Sequence, residues 1–265
     1  MILHYDIQDI VPYINWLYFY HAWSMNGKSE TAKLQLRKDA EEMLHTWGGS
    51  YHTHAVFGLF DANSDGDDLI LGDKRLPMLR QQKPKKPGYP NLCLADFVRP
   101  VGKGKDKVGA FATSVDAELQ KAYLHDDYQR MLSQVLADRL AEGTAEKMHE
   151  EVRRNYWGYA PNERLTMEQT HNEQYQGIRP AVGYPSLPDT SINFILNELI
   201  DMKGIGIRLT ESGMMTPHAS VSGLMMAHPG SCYFELGRIG TDQINDYARR
   251  RGLPVELIRR FLKGV

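Results

Sequence analysis

The sequence predicts an α+β fold built on a largely antiparallel sheet. Helical and strand-like segments come in runs rather than in strict β-α-β alternation, which argues against a doubly wound parallel sheet. "HAVFGLF" (54–60) and "DLILG" (68–72) are short β-type runs separated by the turn-rich "DANSDGD", the signature of a hairpin. A third observation is one long helical pattern, from about 126 to 155. At 1.5 Å per residue it spans about 45 Å, enough to cross a whole sheet.

The elements follow in chain order. Residues 29–47 read as an amphipathic helix with Ser29 or Thr31 as N-cap and Leu34, Leu36, Ala40, Met43 and Leu44 on a broad apolar face. The hairpin comes next, then "RQQKPKKPGYPN" (80–91), whose prolines and basic residues mark an exposed connection within the fold. "DKVGAFATSV" (106–115) is a further strand. In the long helix, Tyr128, Met131, Val135, Leu136, Leu140, Met148 and Val152 hold helical spacing. Asp126 and Asp127 stand at its positive end, Arg153 and Arg154 at its negative end. Gly143 in its middle costs about 1 kcal/mol relative to alanine, which only close packing justifies. "TSINFILNELID" (190–201) is helical and "IGIRLTES" alternates as a half-buried strand. "ASVSGLMMAH" (219–228) and "CYFELGRIG" (232–240) read as strands joined by "PGS". Two helices close the chain, one with Thr241 as N-cap and Gly252 as stop, the other with Pro254 in its first turn.

Composition narrows the function. The 265 residues are 42% hydrophobic and 24% charged, ordinary for a globular domain, and residues 1–265 read as one domain. A net charge of −2 gives no global field for nucleic acid or an anionic membrane, so neither is an expected partner. No run approaches the length of a membrane-spanning helix, and the acid-bearing N-terminus lacks a signal-peptide pattern. Cys93 and Cys232 form no CxxC pair, and a cytoplasmic location is expected.

Several motifs fail on inspection. "DANSDGDDLILG" (61–72) mimics a calcium loop but ends on Gly72 where a bidentate glutamate is required, so a hairpin is the better reading. "GKGKDK" (102–107) lacks the spacing and hydroxyl of a phosphate loop. His52 and His54 read as polar strand-edge histidines without identifiable metal partners. No Ser/His/Asp set declares itself, and no self-contained catalytic site is visible.

One segment stands apart. "GIRPAVGYPSLPD" (177–189) sets Gly177, Gly183, Pro180, Pro185 and Pro188 around a single charge, Arg179. Proline fixes φ and removes a donor, while glycine opens conformations closed to other residues. Two readings stay open: a shaped wall that aims Arg179 at a ligand, or a structural loop with an ordinary surface arginine.

The chain resembles the activation domain of cobalamin-dependent methionine synthase. The matching stretches include "DDY" (126–128), "LADRLAE" (136–142), "YWGYAPNE" (156–163), "YQGIRPAVGYP" (175–185), "LTES" (209–212), "ASVSG" (219–223), "HPGSCYF" (228–234) and "DQINDYARRRG" (242–252). Weaker agreement reaches back through "AVFGLFDANSDGDD" (55–68) to "YINWLYFYHAW" (13–23). The resemblance implies a C-shaped single domain with a twisted, mainly antiparallel sheet. It also implies a shallow groove for S-adenosylmethionine (AdoMet). In that family the domain docks over cobalamin held by the synthase, a flavodoxin-like or other reductase supplies one electron, and AdoMet remethylates the oxidised cobalt.

Site residues follow from the same resemblance. Arg179 is expected to grip the AdoMet carboxylate in a bidentate pair that lysine does not reproduce. Pro180, Ala181, Gly183 and Tyr184 are expected to offer backbone groups, and Tyr233 and Phe234 to contact the nucleoside. Asp138, Glu142 and Glu173 match acids on the sulfonium or corrinoid side. Asp138 and Glu142, four residues apart on one helix face, also suit a salt bridge with Arg139 or a solvated surface. Where the family has an aspartate for the ligand's ammonium, this chain has Asn15, which implies weaker binding. "PDTS" (188–191) and Gly143 depart from the family pattern too.

The expected function is therefore an AdoMet-binding reactivation subunit of a split methionine synthase, acting on a cobalamin-binding partner chain. The alternative is a non-catalytic docking or regulatory module for another corrinoid methyltransferase. A self-contained methyltransferase finds no glycine-rich strand-to-helix signature and no acceptor base in its support.

Overall fold

A computed structural model describes residues 1–84 and 86–262; Lys85, within the 80–91 connection, lies outside the described residues. The elements run β1 (Ile2–Asp6), α1 (Ile7–Ile10), α2 (Trp16–Ala22), α3 (Glu30–Trp47), β2 (His52–Asp65), β3 (Asp68–Leu71), β4 (Lys74–Pro77) and β5 (Asp106–Val115). They continue as α4 (Asp127–Glu151), α5 (Met167–His171), α6 (Ile192–Leu199), β6 (Arg208–Leu209), β7 (Met215–Thr216), β8 (Ser220–Met225), α7 (Thr241–Arg251) and α8 (Val255–Phe261). The class is α+β as expected, with a curled antiparallel half-barrel sheet ordered β4-β3-β2-β5-β8. β2 is the spine: its start pairs with β1, its end with β3, and its other edge with β5 from Thr53 to Ala62.

β5 is buried from Val108 onward because both of its faces are covered. Phe111 and Val115 join a core with α1, α3 and α4, while Val108, Ala110 and Ala112 join a second core with α6. α4 lies across β2, β5 and β8, tied by the Thr113 hydroxyl donating to Ala141 O at 2.9 Å. Gly143 is justified by packing, since a Cβ there would stand 2.9 Å from Ile10 Cγ2 and 3.5 Å from the Tyr13 carbonyl carbon. α4 starts where Asp126 caps Gln129 N–H and ends at Glu151, beyond which Val152–Tyr156 form a π-helical turn.

The structure corrects several expectations. The hairpin turn is shorter than predicted, because β2 continues through "DANSD" and turns only at Gly66 and Asp67. Ladder pairing to β3 and β5 overrides the turn propensity of that stretch. His52 and His54 lie on the central strand, not at an edge, with His54 Nε2 2.8 Å from Asp116. "CYFELGRIG" forms no strand, because the edge of β8 that it would join is occupied by the 178–182 loop. "IGIRLTES" contributes only the two-residue β6. Leu34 is exposed, and the inner face of α3 is Leu36, Ala40, Met43, Leu44 and Trp47. At the start of α4, Tyr128 and Met131 likewise face outward. Gly240, not Thr241, caps α7, and Pro254 precedes α8 as its cap. No helix among the described residues is long and apolar enough to cross a membrane.

Candidate functional site

The 177–189 loop completes the sheet. Ile178 and Met226 exchange backbone hydrogen bonds of 2.9 Å, Leu224 N–H donates to Pro180 O at 3.0 Å, and Val182 N–H donates to Ser222 O at 2.9 Å. Lacking an N–H, Pro180 gives only its carbonyl to this ladder, a role that an edge position tolerates. The close approach depends on Gly223, where any Cβ would run into Pro180 O and the Ala181 Cα. Gly177, at φ +90, is similarly held, because a Cβ there would strike Met226 O.

This pairing turns the Arg179 and Ala181 amides away from β8. Arg179 N–H donates to the Tyr233 hydroxyl at 2.9 Å. Sequence reasoning expects free backbone groups along 180–184, and the fold uses several of them internally. Pro180 O takes Leu224, Gly183 N–H donates to Leu187 O at 2.8 Å, and Tyr184 N–H donates to Ala181 O at 3.3 Å. Among the described residues, Ala181 N–H and Gly183 C=O keep no internal partner. The same holds for the backbone groups of Cys232, Tyr233 and Phe234.

The Arg179 side chain turns back over the sheet toward α4. The side chain is 10% exposed, and its guanidinium lies 5.6 Å from the Phe111 ring centroid and donates from Nη2 to Glu146 Oε1. Arg179 Nε and Glu146 Oε2 are both buried without a hydrogen-bond partner. Burial opposes the arginine's charge, but Glu146, aided by Tyr175, Tyr233 and Glu142, more than offsets it and raises the pKa.

Glu173 holds φ +55, a left-handed conformation unusual for a glutamate. Its side chain reaches solvent yet is crowded on one flank. That burial, with Glu146 beside it, raises its pKa, and Arg179 pulls the other way. Because the native form holds its proton to higher pH than the unfolded chain, this group's contribution to stability is fully present below the ordinary carboxylate value. It is lost as pH rises through the raised one. Glu173→Gln is therefore expected to melt above wild type at neutral pH, by a modest margin given solvent screening. Thermal melts between about pH 4 and 7 check this, and a variant that melts lower at neutral pH contradicts it.

Most of the remaining predicted residues gather around the same stretch of α4, and Phe234 does not. Tyr184 donates from its hydroxyl to Glu142 Oε1 at 3.4 Å, and Glu142 is also held by Arg139 at 2.8 Å, the salt bridge that sequence reasoning offered as its structural role. Asp138 stands 3.3 Å from the exposed His218. Asn15 caps α2, its Oδ1 accepting Leu17 N–H at 3.1 Å. The turn that precedes it, Val11–Tyr13, packs on Gly143. Phe234 packs between the α6 core and the α7–α8 core.

Sequence reasoning missed the layer beneath. Arg153, expected as a helix-end charge, is fully buried. It donates to Glu163 at 2.6 Å and to His149 Nδ1 at 2.9 Å, and lies 4.1 Å from the Tyr175 ring centroid. Burial first, then Arg153 and Arg179, push the His149 pKa well below its ordinary value, so its ring is neutral. The Tyr175 hydroxyl stands beside that of Tyr233, so this network braces the group holding Arg179 N–H. Glu146 was missed too, although it extends the row Asp138, Glu142 by one more helical step.

Two concavities lie elsewhere, about 700 Å³ beside Asp67 and Arg249 and about 290 Å³ beside His54 and Gly206. Neither is lined by the residues above. In the first, Asp65 and Asp68 are taken by Arg75, and Asp246 by Arg250.

The family described as vitamin B12 dependent methionine synthase, activation domain, matches residues 6–252. Among solved structures, a crystal structure of the MetH reactivation domain bound to AdoHcy superposes with a TM-score of 0.93 at 40% sequence identity. The match covers 99% of this chain and 88% of that one.

Proposed function

The chain belongs to the vitamin B12 dependent methionine synthase activation domain family, and from that membership we propose that it binds AdoMet beside Arg179 and serves the reductive remethylation of cobalamin held by a partner chain. The observation that carries the reading is the Arg179 side chain, nine-tenths buried, with a guanidinium donor left unpaired. A carboxylate suits that donor, and AdoMet ends in one. The unpaired backbone groups of 232–234 suit the edge of an adenine, and Ala181 N–H and Gly183 C=O suit the span between. Tyr184, Tyr233 and Phe234 would flank the ligand, with Asp138, Glu142 and Glu173 toward its cationic centre. A relative at 40% identity that holds AdoHcy supports the choice of ligand.

AdoMet supplies an activated methyl group, while the protein's own residues bind and orient it. A flavodoxin-like or other reductase would supply the electron. β1 (Ile2–Asp6) and β8 (Ser220–Met225) share one sheet, which supports reading 1–265 as a single domain. Two unpaired thiols, Cys93 and Cys232, suit the reducing cytoplasm.

Asn15 enters as a specificity position. Aspartate caps a helix as well as asparagine does, so Asn15→Asp is expected to fold normally. Added charge near the ligand's ammonium should tighten AdoMet several-fold, about 1 kcal/mol. Isothermal titration decides; equal or weaker binding in the variant contradicts the prediction.

The function is tested by mixing the chain with a cobalamin-binding methionine synthase chain whose cobalt has been oxidised. Recovery of turnover should require the chain, AdoMet and a reductant together. Binding to the partner without any effect on recovery would instead favour a docking or regulatory role.

A further inference from the structure

The Arg179–Glu146 pair is built in an unusual way. Two such groups pair best side by side, with two parallel hydrogen bonds that satisfy both oxygens and two nitrogens. Here only Nη2 and Oε1 meet, so the pair keeps one donor, Arg179 Nε, and one acceptor, Glu146 Oε2, both closed to solvent and unpartnered. Buried polar atoms left without partners are rare and costly. One unpaired donor on a cation and one unpaired acceptor on an anion match, in number and charge, the carboxylate and the ammonium of an α-amino acid.

The surroundings leave few other acceptors for an ammonium. Glu142 is engaged by Arg139 and Tyr184, and Asp138 by His218. Asn15, which borders the same part of α4 through the Val11–Tyr13 turn, is neutral and its oxygen already caps α2. Burial and the nearby Glu146 raise the Glu173 pKa, with Arg179 opposing them. Glu146 joins a charged partner, Arg179, to a second oxygen that is buried and unpaired.

We propose that Glu146 receives the ammonium of the bound ligand through Oε2, so that Arg179 and Glu146 together form an α-amino-acid receptor. The inference rests on the AdoMet reading above and adds a residue that sets specificity within it. It also explains how a chain with asparagine at position 15 recognises a zwitterionic tail.

The test uses calorimetry with AdoHcy and with its deaminated analogue, the same thioether carrying hydrogen in place of the ammonium. Wild type should prefer AdoHcy by about tenfold or more, the effect of one charge-assisted hydrogen bond. In Glu146→Gln that preference should fall to within about twofold, with the analogue's own affinity little changed. Retained preference in Glu146→Gln, or its loss only in Glu173→Gln, overturns the inference while the AdoMet reading stands. Failure of wild type to bind AdoHcy removes both. Should Glu146→Gln not fold, Glu146→Asp keeps the charge but withdraws the oxygen, and its preference should shrink at least threefold, about 0.65 kcal/mol. An unchanged preference there counts equally against the assignment.

Discussion

Arg179→Ala is expected to weaken AdoHcy binding by about 30-fold or more, or about 2 kcal/mol, the strength of a charged hydrogen bond. The same change should destabilise the empty chain, because Glu146, with its side chain 19% exposed, would lose its counter-ion. Removing one member of a buried pair costs about 3–5 kcal/mol, and this pair's position at the rim points to the low end. The two effects separate in the double variant Arg179→Ala/Glu146→Gln. It should regain most of the lost stability, since no lone carboxylate remains, and none of the lost affinity. Thermal melts and calorimetry on the three proteins read both quantities. Full AdoHcy affinity in Arg179→Ala would mean that the carboxylate clamp lies elsewhere.

The second large effect is expected at Glu163, which touches no proposed ligand. Glu163→Gln leaves the fully buried Arg153 with a neutral partner in place of a carboxylate that holds it at 2.9 and 2.6 Å. His149 offers no charge in exchange, because its buried ring is neutral. The loss should be about 3 kcal/mol or more, a fall in melting midpoint of about 10 °C for a chain of this size. Glu42→Gln is the control: its partner Lys38 is 69% exposed, so the pair should contribute under about 1 kcal/mol. Because Arg153 supports Tyr175, and Tyr175 stands beside the Tyr233 hydroxyl that holds Arg179 N–H, AdoHcy affinity should also fall in Glu163→Gln. A variant that melts within a degree or two of wild type contradicts this account of the network.

Local pattern made much of the fold legible. β5 matches its predicted span, and the long helix begins where predicted, at about 126, because burial on both strand faces and a helical stripe leave strong periodic signals. β1 and β4 were missed for opposite reasons. "ILHYD" mixes polar residues into a strand whose partner lies some fifty residues away, and "KRLP" is too short and ends on a proline. The 232–240 segment misled because its alternation is real while its neighbouring strand position is already filled by residues 178–182. That exclusion is a tertiary fact that no local window contains.

The site divides the same way. Arg179 was visible because prolines and glycines on both sides announce a shaped backbone, and Tyr233 because of the family motif. The direction of the guanidinium was not visible, since it depends on where α4 crosses the sheet. Glu146 carried a usable signal, the four-residue spacing of acids along α4, but nothing local shows that this row meets the loop. Arg153 read as a dipole charge because sequence shows its place at a helix end and not the Glu163 side chain that returns to bury it.

The most direct test is a crystal structure of this chain with AdoHcy. The account predicts the ligand's carboxylate on the Arg179 guanidinium, its ammonium at Glu146 Oε2 and its adenine edge on the backbone of residues 232–234. A ligand bound elsewhere, with Arg179 still facing Glu146 alone, would contradict it.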